Sequence, residues 1–295
     1  MMIYDPGPGK KDDGLMAKGT SLTKITVGCQ AWGYDDWKTL RGGPTVFFPP
    51  GIKPHEKLSF YAKIFDTVEV DSSFYAMPRI SDIENWSRQV PEHFTFSFKM
   101  PRDVTHGDNL GSASHGLAKE FIGRLAVLKN KLGAVLIQLP RAFKMTAANA
   151  ANLANFLEFL PGEIRFAVEL RSPEWFVPEI FELLAGHNAA LCLGQNEFLL
   201  REIIMKAREF PSADLAYFRF SGARDLTKLD RIQRPQEESI NFWAEQIKTI
   251  KSKTTFVYFS NLFEGFSPES AAKFRKLIGQ TPVAPEQLNP APSLF

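Results

Sequence analysis

A single (β/α)8 TIM barrel, of the α/β class, is the fold this sequence predicts, on three observations. Short apolar runs that stop at polar or charged residues alternate with helical patterns, as parallel strands and their crossovers do. The alternation gives eight strand–helix units, the number that closes a barrel and removes its edges. The chain, 295 residues long, suffices for one such barrel. The competing fold is an open doubly wound sheet, which carries a glycine-rich phosphate loop after its first strand. Here the first strand runs into Cys29-Gln30-Ala31-Trp32-Gly33, which is no such loop.

Residues 1–24 include Asp5-Pro6-Gly7-Pro8-Gly9-Lys10-Lys11-Asp12-Asp13-Gly14, which has little to bury and predicts a flexible N-terminal leader. Ile25–Cys29 is strand one, and a long loop with Trp32, Trp37 and the turn Pro49-Pro50-Gly51 follows. Helix one presents Leu58, Tyr61, Ala62 and Phe65 on one face. Strand two is Thr67–Asp71, and helix two starts at a capping box, Ser81-Asp82-Ile83-Glu84. Strand three is Phe94–Lys99. Helix three carries Leu117, Phe121, Leu125, Leu128 and Leu132 at helical spacing. Strand four is Ala134–Gln138, and helix four runs from Ala147 to Leu160.

Strand five is Arg165–Arg171. Helix five opens at Ser172-Pro173-Glu174, a serine cap with proline in the first helical position. Strand six is Ala189–Leu193; helix six carries Leu200, Ile203, Ile204 and Ala207 and stops before Pro211. Strand seven is Leu215–Phe220, and helix seven carries Ile240, Trp243, Ala244, Ile247 and Ile250. Strand eight is Thr255–Phe259. Helix eight opens at Ser267-Pro268-Glu269 and ends near Gly279, a C-terminal glycine signal. The barrel domain therefore spans 25–279. Residues 280–295, with Pro282, Pro285, Pro290 and Pro292, read as a proline-rich tail.

Composition narrows the function classes. Hydrophobic residues at 44% and charged residues at 23% suit a soluble globular protein, and most of the 26 Phe are core filling. A formal net charge of +2 is not the footprint of a dedicated nucleic-acid coat. No apolar run is long enough to span a membrane, and no export signal is read near the N-terminus. Cys29 and Cys192 fall on strands that are not neighbours, so two free thiols in a reducing cytoplasm are expected.

Parallel strands point their C-terminal ends the same way, and in a barrel that end carries function. Glu69, Asp71, Lys99, Gln138, Glu169, Arg171, Arg219 and Asn261 all fall there. Residues two apart on a strand face the same side, so Glu69 with Asp71, Glu169 with Arg171, and Ser97 with Lys99 can point inward together. Two arrangements fit. One is a closed ion-pair network of Glu69, Asp71 and Glu169 against Lys99, Arg171 and Arg219 that only ties strand ends. The other leaves donors for a small anionic, phosphate-bearing ligand. In it Arg171, Arg219 and Lys99 hold the anion, Lys99 is alternatively an amine nucleophile, and Glu69 or Glu169 is the general base. His106, in Asp103-Val104-Thr105-His106 after strand three, is a candidate acid, base or ligand donor.

Trp32, Trp37 and Tyr75 follow strand ends and offer ring-stacking platforms for a sugar or base; Trp175 is another aromatic at that face. The paired carboxylates also suit glycoside hydrolysis, although Arg171 beside Glu169 favours an ionised carboxylate over an acid. A non-catalytic nucleic-acid module, with a basic strip through Arg102, Arg141 and Arg224, is the alternative. The five histidines form no HxH or i,i+4 pair, so no multi-histidine metal site is expected and no cofactor is implied. A magnesium or manganese ion on the carboxylates is an alternative, and no oligomeric state follows from the sequence. Pro101 and Pro140, two residues beyond polar strand ends, fix how the chain leaves the sheet and are candidates for cis bonds.

Seven blocks, in order across residues 25–279, resemble the YecE-like family, a domain-of-unknown-function family. They include Val27-Gly28-Cys29-Gln30-Ala31-Trp32-Gly33-Tyr34 and Thr67-Val68-Glu69-Val70-Asp71-Ser72-Ser73-Phe74-Tyr75. Phe98-Lys99-Met100-Pro101-Arg102, Gln138-Leu139-Pro140, Val168-Glu169-Leu170-Arg171 and Tyr217-Phe218-Arg219-Phe220 follow. The last is Tyr258-Phe259-Ser260-Asn261 with Glu264-Gly265-Phe266-Ser267-Pro268. The resemblance implies a TIM barrel similar to those of endonuclease IV and xylose isomerase, and no settled activity. The chain lacks the histidine-rich metal sites of those enzymes. It departs from the family's pattern at Asp71, where Asn is common, and at Ser172, where His is common.

Overall fold

The computed structural model describes residues 23–40, 43, 46–209 and 213–288. Eight parallel strands close into a barrel in chain order, β1 beside β2 and so on to β8 beside β1. They are β1 Lys24–Gln30, β2 Thr67–Val70, β3 Thr95–Lys99, β4 Leu132–Gln138, β5 Phe166–Glu169, β6 Ala190–Gln195, β7 Leu215–Phe220 and β8 Thr254–Phe259. Around them run α1 Lys57–Tyr61, α2 Ile80–Gln89, α3 His115–Leu125, α4 Ala147–Phe159, α5 Pro178–Gly186, α6 Arg201–Met205 and α7 Glu237–Lys248. Then come α8 Asn261–Glu264, α9 Ser267–Leu277 and α10 Pro285–Leu288. Residues 1–22 of the expected leader and 289–295 of the expected tail lie outside the described residues.

Alternation along each strand sorts the side chains into two cores. On β3, Phe96 and Phe98 point outward, and Phe98 meets Trp86 of α2 and Phe121 of α3. Both phenylalanines are fully buried, each burial worth roughly 1.5–3 kcal/mol. Between them Ser97 points inward and pairs with the Tyr258 hydroxyl at 2.8 Å. Tyr258 also bonds Thr67 at 2.7 Å, so the barrel interior is stapled from β8 to β2 and β3. The interior core is completed by Leu136, Ala167, Cys192, Leu215, Tyr217 and Phe256. Cys29 faces outward and Cys192 inward; both are free and buried.

Two glycines set how closely strands approach. A Cβ on Gly28 would stand 2.1 Å from the Thr67 carbonyl oxygen. Gly194, the register partner of Arg219, has φ +112°, and a Cβ there would stand 2.2 Å from the Arg219 carbonyl oxygen. Only glycine fits that conformation and that gap.

Several element boundaries differ from the sequence expectation. α2 begins at Ile80, one residue before the expected capping serine, because the Arg79 carbonyl already accepts from Asp82 and Ile83 and leaves Ser81 inside the helix. Ser172 does not cap helix five. Pro173–Trp175 forms a short 3-10 turn, and α5 starts only after Val177. There the Trp175 indole is buried, stacked on Phe143 and donating to its carbonyl at 2.7 Å, which draws the chain off a helical path. Leu132 opens β4 instead of closing helix three, since the chain turns at Lys129, with φ 51°. No peptide bond among the described residues is cis, Pro101 and Pro140 included.

Candidate functional site

The strand ends bring their inward groups to one layer at the C-terminal mouth. Arg219 on β7 is its hub. Its Nη2 and Nε donate to Glu69 on β2, at 2.7 Å and 3.0 Å, and its Nη1 donates to Glu169 on β5. Asp71, on the 3-10 turn after β2, stands 3.5 Å from Nη2. The Tyr217 hydroxyl donates to Glu69 at 2.6 Å, and Gln138 on β4 donates to Glu169 at 2.9 Å. Arg171, just past β5, donates from Nε to Glu169 at 2.7 Å. Glu69, Glu169 and Arg219 are all buried, and this pairing is what permits buried charge.

The same contacts divide the two glutamates. Burial pushes Glu69 up to about 7, with Arg219 opposing and Asp71 reinforcing the rise. Burial works against the charge of Glu169 too, but the guanidiniums of Arg171 and Arg219 together overcome it and hold Glu169 far below the ordinary carboxyl range. Arg219, expected to hold a ligand anion, has its guanidinium engaged by protein carboxylates on both sides instead. No group of three or more His, Cys, Asp or Glu in a metal-holding arrangement occurs among the described residues.

Among the described residues, other donors at the mouth find no partner. The Lys99 ammonium, on a residue only 6% exposed, has no hydrogen-bond partner among the described residues and rests 3.8 Å from the centroid of the Phe74 ring. Burial lowers its pKa to about 8, with Asp71 and Glu169 opposing and Arg219 and Arg171 adding to the fall. Gln30, at the end of β1 opposite Glu69, buries an Nε2 without a partner. Asn261, at the start of α8, fixes its oxygen on the Ser267 amide and hydroxyl, at 2.9 and 2.8 Å, and leaves its buried Nδ2 unpaired. The terminal nitrogens of Arg171 also carry no hydrogen bond among the described residues, its guanidinium lying 4.9 Å from the Phe198 ring centroid.

The remaining expected residues sort by burial. Tyr75 is 71% exposed at the rim and packs edge-on against Phe74. Trp32 is half-buried, edge-on to Trp86 at 5.5 Å. Trp37 and Trp175 offer no platform: both are wholly buried, Trp37 against Phe47, Phe48 and Phe266. His106 bonds Thr105 through Nδ1 at 2.8 Å and meets Phe74 edge-on. Burial, then the charges of Lys99, Arg171 and Arg102, bring it down to about 4, so it is neutral at physiological pH.

Sequence reasoning passed over Tyr217, Gln30 and Tyr34 as site residues. Two carried a signal: Tyr217 stands two before Arg219 on one strand, and Gln30 is the polar end of strand one. Tyr34 carried none. Its phenol lies against Asn261 and is raised to about 12 by burial and then by the Asp71 charge.

Fold and site together define a (β/α)8 barrel protein with a buried acid–base cluster at its C-terminal mouth. Over residues 26–293 the sequence matches the family described as "Protein of unknown function DUF72", and the chain belongs to that family. It is 32% identical over 152 residues to UPF0759 protein YecE of Escherichia coli K12, covering 52% of this chain and 50% of that relative. It is 25% identical over 290 residues to UPF0759 protein YunF of Bacillus subtilis, covering 90% of this chain and 99% of that one. Thus the match spans half the length of YecE and nearly all of YunF, in keeping with the YecE-like resemblance. Among solved structures, a DUF72 family protein from Thermotoga maritima superposes with TM-score 0.71 at 24% identity, covering 87% of this chain and 100% of that one. Another from Enterococcus faecalis gives TM-score 0.66 at 21% identity, covering 87% and 96%. These two likenesses speak to the fold alone.

Proposed function

We propose that the mouth binds a small anionic ligand bearing carboxylate or phosphate. The observation that carries this is Lys99: a lysine held inside the mouth whose ammonium no acceptor among the described residues satisfies. Around it the amide nitrogens of Gln30 and Asn261 are buried without a partner among the described residues, and leaving such a donor unmet costs about 1–3 kcal/mol, which a ligand acceptor relieves. Gln30, Asn261 and the outer face of Arg171 supply further donors around it. Arg219 has a different task, holding Glu69 and Glu169 in place. Native mass spectrometry of protein purified without added phosphate should find a retained small anion. Lys99→Met and Asn261→Leu should each cut its retention at least fivefold while melting as folded proteins. Full retention in both variants would sink the reading.

A second reading, a non-catalytic nucleic-acid module, is favoured by one observation. Arg102, Arg141 and Arg224 lie on loops after β3, β4 and β7, are exposed, and have no ion-pair partner among the described residues. It requires oligonucleotide binding that weakens steeply with salt; no binding at low salt ends it. The sugar-binding reading loses Trp37, which is buried. The two unpaired thiols suit a reducing compartment, and on this reading the protein works in the cytoplasm.

A further inference from the structure

We propose that Lys99 is an amine nucleophile, and that the ligand carries a carbonyl group beside its anionic group, so that the two condense to an imine. This rests on the reading above, because the anion is what brings the carbonyl to the amine. The chemical class is a 2-oxo acid or a phosphorylated aldehyde or ketone.

The three cations at the mouth are not equivalent. Arg219 is bonded to Glu69 and Glu169, and Arg171 to Glu169. Of the three, Lys99 alone has no hydrogen-bond or ion-pair partner among the described residues, so its nitrogen is open to attack a ligand once the proton leaves. Its position is nevertheless fixed. Nζ sits over the Phe74 ring at 3.8 Å, and the His106 ring braces Phe74 at 5.0 Å. The charged groups facing it are Asp71 after β2, Glu169 and Arg171 at and beyond the end of β5, and Arg219 on β7; His106 is neutral. The ring favours the ammonium, but burial and the two guanidiniums outweigh it. With a pKa of about 8, roughly a tenth of the amine is neutral at pH 7.

The chemistry balances without an oxidant or reductant. The lone pair of neutral Nζ adds to the carbonyl carbon while the π pair moves to oxygen. One N–H proton passes to that oxygen, giving a carbinolamine. The hydroxyl then leaves as water with the second N–H proton, and a C=N bond replaces C=O.

The test incubates the full chain at pH 8 with glyoxylate or with pyridoxal 5′-phosphate, traps adducts with cyanoborohydride and maps them by peptide mass spectrometry. The expected result is an adduct on Lys99, formed at least tenfold faster than with neutral propionaldehyde. It should be absent from Lys99→Arg, whose melting curve reports that it folds. Labelling confined to other lysines overturns the proposal, and so does an equal rate with propionaldehyde. Glycolate and pyridoxine 5′-phosphate, which lack the carbonyl, are compared by thermal shift. Stabilisation by either, with no Lys99 adduct, keeps the anion site and rejects the imine; neither stabilisation nor adduct rejects both. Which probe reacts separates carboxylate from phosphate.

Discussion

Arg219 and Lys99 show how differently two buried cations in one layer contribute. Removing Arg219 strands Glu69 and Glu169 without their shared partner, and breaking such a buried pair costs about 3–5 kcal/mol. Arg219→Ala should lose that much in chemical denaturation; a loss under 1 kcal/mol would mean that solvent already reaches the cluster. Lys99→Met should do the opposite. Its pKa falls from 10.5 to about 8 in the folded state, so the fold carries up to about 3 kcal/mol of cost for the ammonium at pH 7. The unfolded chain binds more protons between those two values, so stability rises with pH across that window. Lys99→Met should melt higher at pH 7 and lose the alkaline rise; an unchanged pH profile would contradict the assignment. These residues also show what could be read in advance. Their place at strand ends follows from periodicity alone. Which cation is spent depends on how far β2, β5 and β7 reach across the interior, and no local pattern encodes that distance.

Elements were legible where one apolar face dictates the period. All eight strands stand where the alternation puts them, within a few residues. The misplacements come from tertiary demands. Trp175 buries its indole and so delays α5, and Lys129 turns the chain so that Leu132 joins β4. Gly194 shows the same demand from the other side. It sits where β6 must pass close to Arg219, in a backbone conformation that side chains rarely adopt. Gly194→Ala should cost at least about 2 kcal/mol, combining left-handed strain with the displacement of β7. A ligand-affinity loss larger than that of a core substitution of equal ΔΔG would place the damage at Arg219. A melting temperature within a degree of the unmodified protein would refute it.

At the scale of the whole molecule, closure binds the two halves of the chain. β8 pairs with β1 and with β7 over six register positions each. Urea unfolding should therefore be one transition, with far-UV circular dichroism and tryptophan fluorescence coincident, since Trp32, Trp37, Trp86, Trp175 and Trp243 sample the full circumference. Separated midpoints would show that part of the barrel melts alone. Three acids and three cations meet inside the rim, Glu69, Asp71 and Glu169 against Lys99, Arg171 and Arg219. Opposed at such short range, they cancel one another's far field. A solute drifting past feels almost no pull from this layer until it is nearly in contact, so selection falls to fit and desolvation at close quarters. Capture by such a pocket should be slow to start and hard to disturb with added electrolyte.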